Sequence, residues 1–123
     1  MTIALWCVLI SGLLPYLAAG TAKAGARFDN RNPRDWLAKQ EGYRRRANAA
    51  QSNAFEAFPL FAAAVIVATV IHAPQDRVDM LAMIFVAARV GYFFFYLLDW
   101  SIPRSIAWFA GIASAVAIFV AGA

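Results

Sequence analysis

The chain has 123 residues, 63% of them hydrophobic and 15% charged, against roughly 45–50% apolar and about 25% charged in an ordinary soluble domain. That length makes room for one domain, and since a soluble chain of this size buries only around two thirds of its surface, so large an apolar excess excludes a water-soluble globular protein. Disorder, a collagen repeat and a disulfide scaffold are excluded with it: Cys7 is the sole cysteine, so neither an internal disulfide nor a Cys/His metal site is indicated.

The first apolar run, Thr2 to Gly20, carries no charge and nearly matches a hydrocarbon core of roughly 30 Å at 1.5 Å per residue. No Lys or Arg precedes it, as the first region of a cleaved signal requires, so a retained span is expected. From residue 21 to 50 the composition inverts: Lys23, Arg27, Arg31, Arg34, Lys39, Arg44, Arg45 and Arg46 face only Asp29, Asp35 and Glu41. This basic loop feeds the next helix, and its placement between apolar runs argues for membrane topology rather than nucleic-acid binding as the source of the +4 formal charge.

The second run, 54 to 71, is interrupted by Glu56 and Pro59 and ends at His72-Ala73-Pro74. The third, 78 to 98, has a single charge deep inside it, Arg89. The fourth, 106 to 121, is short, so Arg104 is expected to snorkel and Trp108 to lie near an interface. Small residues at Ala110 and Ser114, and at Ala113, Ala117 and Ala121, have the spacing that lets helix backbones approach closely in lipid. The expected fold is an all-α integral membrane domain, a bundle of four transmembrane helices. Counting Lys and Arg by loop, the positive-inside rule places the first and third loops in the cytoplasm and both termini outside.

Topology does not explain every polar residue. A charge inside a span costs several kcal/mol on insertion scales, so Glu56 and Arg89 each need a partner or a wet cavity. Glu56 lies ten residues beyond Arg46, and Arg89 ten residues before Asp99, each about 15 Å below the same membrane face, so the two can pair. At about 100° per residue, Arg46, Asn53 and Glu56 share one helix face, and Arg89, Tyr92, Tyr96 and Asp99 share another. The pair serves either as a clamp within the bundle or as the floor of a polar cleft. Arg104, after Pro103, opposes the positive end of its own helix dipole; it is either a topological anchor or a guanidinium that stabilises a carboxylate or thiolate.

The segment from Ala50 to Phe61, with Asn53, Glu56 and Pro59 at three-residue spacing, resembles the second-helix motif of the membrane-associated proteins in eicosanoid and glutathione metabolism (MAPEG), which include microsomal glutathione transferases. Arg89 with Tyr96, Arg104-Ser105 after a Pro-bearing turn, and the loop pairs Arg27-Phe28 and Asn32-Pro33 look like further family features. The resemblance implies a homotrimer of four-helix subunits in contact with membrane lipid, with glutathione as cosubstrate and a lipophilic small molecule entering from the bilayer. It also implies that Asn53, Glu56, Arg89, Tyr92 and Tyr96 hold the tripeptide, with Arg46 on the same face, while Arg104 lowers the thiol pKa. One departure stands out: Ala49-Ala50 replaces the Arg-Ala pair that eukaryotic members carry before the Asn. A bacterial-type member in the inner membrane is implied. The alternative function is a non-catalytic lipid-binding or scaffolding trimer; a transporter ranks below both, because the polar stripes reach only one side.

Overall fold

The computed structural model describes residues 1–123 and is wholly helical: α1 (Ile3–Lys23), α2 (Pro33–Ala38), α3 (Gly42–Val70), α4 (Gln75–Leu97) and α5 (Ser101–Val120). All but α2 are long and apolar enough to cross a membrane. The short α2 interrupts the basic loop where Pro33 occupies the first helical turn, a position whose N–H has no intrahelical partner to lose. The second span belongs to a longer helix than its apolar run suggests, since α3 begins at Gly42 and carries Arg44, Arg45 and Arg46 in its first turns.

Without a hydrophobic driving force between helices in lipid, close packing has to hold the bundle, and small residues supply it. Ala4, Cys7, Ser11, Ala18 and Ala22 form the buried stripe of α1, and Ala107, Gly111, Ser114 and Ala115 that of α5. The register of α5 departs from the sequence expectation: Ala110 and Ala113 face outward, and of the two small-residue rows only Ser114 is fully buried. The face carrying Gly111 wins because it meets Arg89 on α4, whose Cδ lies 3.6 Å from where a Cβ on that glycine would stand. In the half of the bundle away from the basic loop, Phe61 stacks on Phe85, centroids 3.9 Å apart and planes at 4°, amid Ala64, Val65, Ala82 and Ile118.

Charged side chains close the helix ends. The last carbonyls of a helix lack intrahelical partners and carry the negative end of its dipole. At the basic end, Arg44 Nη1 donates to the Ala22 carbonyl at 2.9 Å, and Arg46 donates through Nε and Nη2 to the Leu97 carbonyl at 3.2 and 3.1 Å. Two arginines within one turn's length of α3 thereby tie down the C-termini of α1 and α4. Above them, Trp36 and Leu37 of α2 pack with Ala22, Ala47 and Leu97. At the opposite end, Asp79 Oδ1 accepts from the Ala4 N–H at 2.9 Å and from Gln75 Nε2 at 2.7 Å, so α4 caps the N-terminus of α1. The turns after α3 and α4 place His72 and Asp99 at φ 55° and 60°, each followed by a six-residue closing bond, Ala73 N–H to Ala68 and Trp100 N–H to Phe95. These are Schellman stops built without glycine.

Three outcomes follow for stability, read by denaturant titration in mixed micelles. Phe61→Ala opens a cavity in the stacked pair and costs about 3 kcal/mol, whereas Leu17→Ala, on a lipid-facing position, changes stability by less than about 0.5 kcal/mol. Arg46→Met, which strips the Leu97 carbonyl of a charged donor, costs about 1–2 kcal/mol.

Candidate functional site

The intramembrane charges converge where α3, α4 and α5 meet. A cavity of about 190 Å³ is lined by Asn53 and Glu56 from α3, Arg89 from α4 and Trp108 from α5, and its deeper wall is apolar, with Leu60, Phe85, Ile112 and Ala115. Toward the basic end a second cavity, of about 220 Å³, is lined by Asn53, Tyr92, Arg104, Ser105, Trp108 and Phe109. Asn53 and Trp108 belong to both, so the two form one cleft, polar toward the basic end and apolar at depth.

The helical repeat builds this cleft. Asn53 and Glu56 lie one turn apart on α3, and Arg89, Tyr92 and Tyr96 succeed one another at three- and four-residue spacing along α4, which puts each group on one face. Arg89 Cζ lies 4.3 Å from the centroid of the Tyr92 ring, Tyr92 meets Tyr96 edge to face at 5.6 Å, and Arg104 Cζ lies 4.4 Å over Tyr96. The result is a continuous ladder from Arg89 through two tyrosines to Arg104. Stacking on an aromatic face orients a guanidinium without consuming its N–H donors, leaving both arginines able to bind anions.

Arg89 and Glu56 do not pair as the sequence suggested. They line one cavity, but no ion pair forms within the chain: Arg89 is 5% exposed and folded over Tyr92, while Glu56 is turned outward and exposed. Asn53 Oδ1 is buried with no hydrogen-bond partner, an unmet acceptor at the junction of the two cavities. Arg46 stands apart, held by the Leu97 carbonyl. The structure thus brings together Asn53, Glu56, Arg89, Tyr92, Tyr96 and Arg104, and leaves Arg46 of α3 outside the group, at the C-terminal end of α4.

Trp108 was read in the sequence only as an interfacial anchor, yet it walls both halves of the cleft. Its position four residues after Arg104, on the same helical face, was the available signal. The cleft thus offers two cations as hydrogen-bond donors, and one exposed carboxylate and one unmet amide oxygen as acceptors.

No curated protein matches the chain. The family model of the MAPEG family matches residues 3–123, essentially the whole length, and the chain belongs to that family of membrane four-helix proteins.

Proposed function

We propose that this protein is a membrane-embedded, glutathione-dependent transferase or peroxidase acting on lipophilic electrophiles or lipid hydroperoxides. The observation that carries the reading is the single cleft in which Arg104, Tyr92 and Asn53 line a polar half that runs into an apolar half. The family association with glutathione supplies the thiol, and the apolar half faces the phase from which a lipophilic partner arrives.

In this reading Arg89 and Arg104 receive the carboxylates and the thiol, Glu56 receives the α-ammonium, and Asn53 accepts a peptide N–H. A guanidinium beside the sulfur favours its ionised form, and the thiolate is the nucleophile. With a carbon electrophile, a C–S bond forms as the bond to the leaving group breaks and takes the electron pair with it. With a hydroperoxide, two thiols are oxidised to a disulfide while the O–O bond is reduced to an alcohol and water.

The exposure of Glu56 supports the assembly we propose. A carboxylate exposed on a span costs several kcal/mol against lipid, and a second copy of the chain, in a homotrimer, covers it. The Lys and Arg content of the basic end supports our reading that this end lies in the cytoplasm, with both termini outside, in a bacterial inner membrane. A second reading, a non-catalytic lipid-binding or scaffolding trimer, is favoured by Ala49 in place of the family arginine and by the engagement of Arg46 with the helix end.

Titrating purified protein with glutathione while following ultraviolet thiolate absorbance tests the mechanism. Wild type gives a saturable signal, and Arg104→Ala loses it and drops turnover about 100-fold or more with its oligomer intact; equal turnover in the variant overturns the role of Arg104. Absence of any signal in wild type favours the scaffold. Cross-linking in native membranes is expected to stop at three copies, and a product limited to monomers or dimers refutes the trimer.

A further inference from the structure

On the other side of Arg89 lies an apolar slot of about 160 Å³ between α1, α3 and α4, with nine hydrophobic residues among the ten that line it. Small side chains make the room, namely Ala18 on α1 with Ala50 and Ala54 on α3, while Arg89 stands at one wall. One helical turn toward the basic end, Ala22, Ala47 and Leu97 meet Trp36 and Leu37 of α2, so α2 roofs the slot against the aqueous phase. Its remaining side is bounded by Leu17 and Phe94, which are 65% and 54% exposed on two helices long and apolar enough to cross a membrane. Apolar cavities near 150 Å³ stay dry and take up hydrocarbon. A slot closed to water and open to the bilayer is filled from the bilayer.

The charge around the roof selects the headgroup. Lys23 is spent on the Phe28 ring, Arg44 on Ala22 and Arg46 on Leu97, but Arg27, Arg31, Arg34, Lys39 and Arg45 are exposed and form no ion pair within the chain. Positive-inside topology explains that these residues lie on this side. Their lack of partners leaves them free for anions, and juxtamembrane clusters of this size attract anionic lipid headgroups. We infer that each subunit binds one anionic phospholipid, with an acyl chain seated in the α1–α3–α4 slot and its headgroup against the basic segment around α2. The inference does not depend on glutathione chemistry, since the slot lies on the α1–α3–α4 side and shares only Arg89 and Tyr92 with the Arg104 cleft.

Native mass spectrometry of the detergent-purified, delipidated oligomer, offered phosphatidylglycerol or phosphatidylcholine, tests it. The expected result is saturation at one lipid per subunit with phosphatidylglycerol preferred about tenfold or more. Ala54→Phe, which fills the slot, is expected to abolish retention of both lipids. Should that variant fail to assemble, Leu17→Trp narrows the mouth from an exposed position and is expected to weaken retention likewise. Replacing Arg27, Arg31 and Arg34 together by Gln is expected to keep retention and erase the preference. Unsaturable adducts, equal retention of the two lipids by wild type, or undiminished retention in an assembled slot variant would overturn the inference.

Discussion

Arg89 brings a permanent positive charge to the middle of a span, and hydrocarbon cannot solvate it. The protein answers with shape and stacking rather than with a counter-ion: α5 presents Gly111 where the arginine stem passes, and α4 turns the Tyr92 ring beneath the guanidinium. Both adjustments have consequences elsewhere. The glycine fixes which face of α5 is buried, and that register places Arg104, seven residues earlier and two turns away, on the same side of the helix. The Tyr92 ring in turn meets Tyr96, over which Arg104 lies. The cleft at the α3–α4–α5 junction is thus the product of accommodating one buried cation.

The basic segment does a second job besides topology. Its charges divide into those consumed by structure and those left over. Arg44 and Arg46 satisfy carbonyls that lipid would leave bare, in the way that C-terminal carbonyls favour basic groups in any helix. Because both come from α3, which continues unbroken into the second span, the ends of α1 and α4 are held at fixed height relative to Asn53 and Glu56. The depth of the cleft is therefore set by helix-end capping as much as by packing between spans.

The fold class and the spans were legible because a 30 Å hydrocarbon layer imposes a length and a composition that few other environments select. Most of the cleft was legible for the related reason that an ionisable group inside a span has to be accounted for: Glu56 and Arg89 announce themselves, and helical spacing then recruits Asn53, Tyr92 and Tyr96. Three features were hidden. The pairing of Glu56 with Arg89 was inferred from equal depth, but depth says nothing about azimuth, and Arg89 turns inward while Glu56 turns out. The buried face of α5 was misassigned because a helix this rich in Ala, Gly and Ser carries several small-residue rows, and only the contact between Gly111 and Arg89 chooses among them. The role of α2 was hidden because a six-residue helix leaves too short a periodic signal, with Asn32-Pro33 as its one mark.

Arg89 also complicates how the two apolar volumes are probed. It lines the α3–α4–α5 cleft and the α1–α3–α4 slot alike, and a buried cation removed from such a wall changes both volumes and the packing against Gly111 at once. Loss of activity in an Arg89 variant would therefore mix altered ligand contacts with altered helix packing, and coupled sites of this kind give non-additive effects. Arg104 reports more cleanly, since it sits at the rim, half-buried, with the Tyr96 ring as its stacking partner, and Ala54 does the same for the slot from α3, since it lines the slot and neither cavity of the cleft. A double replacement at Arg104 and Ala54 should then be additive if the cleft and the slot are independent, and any departure from additivity measures the coupling carried through the shared Arg89 and Tyr92.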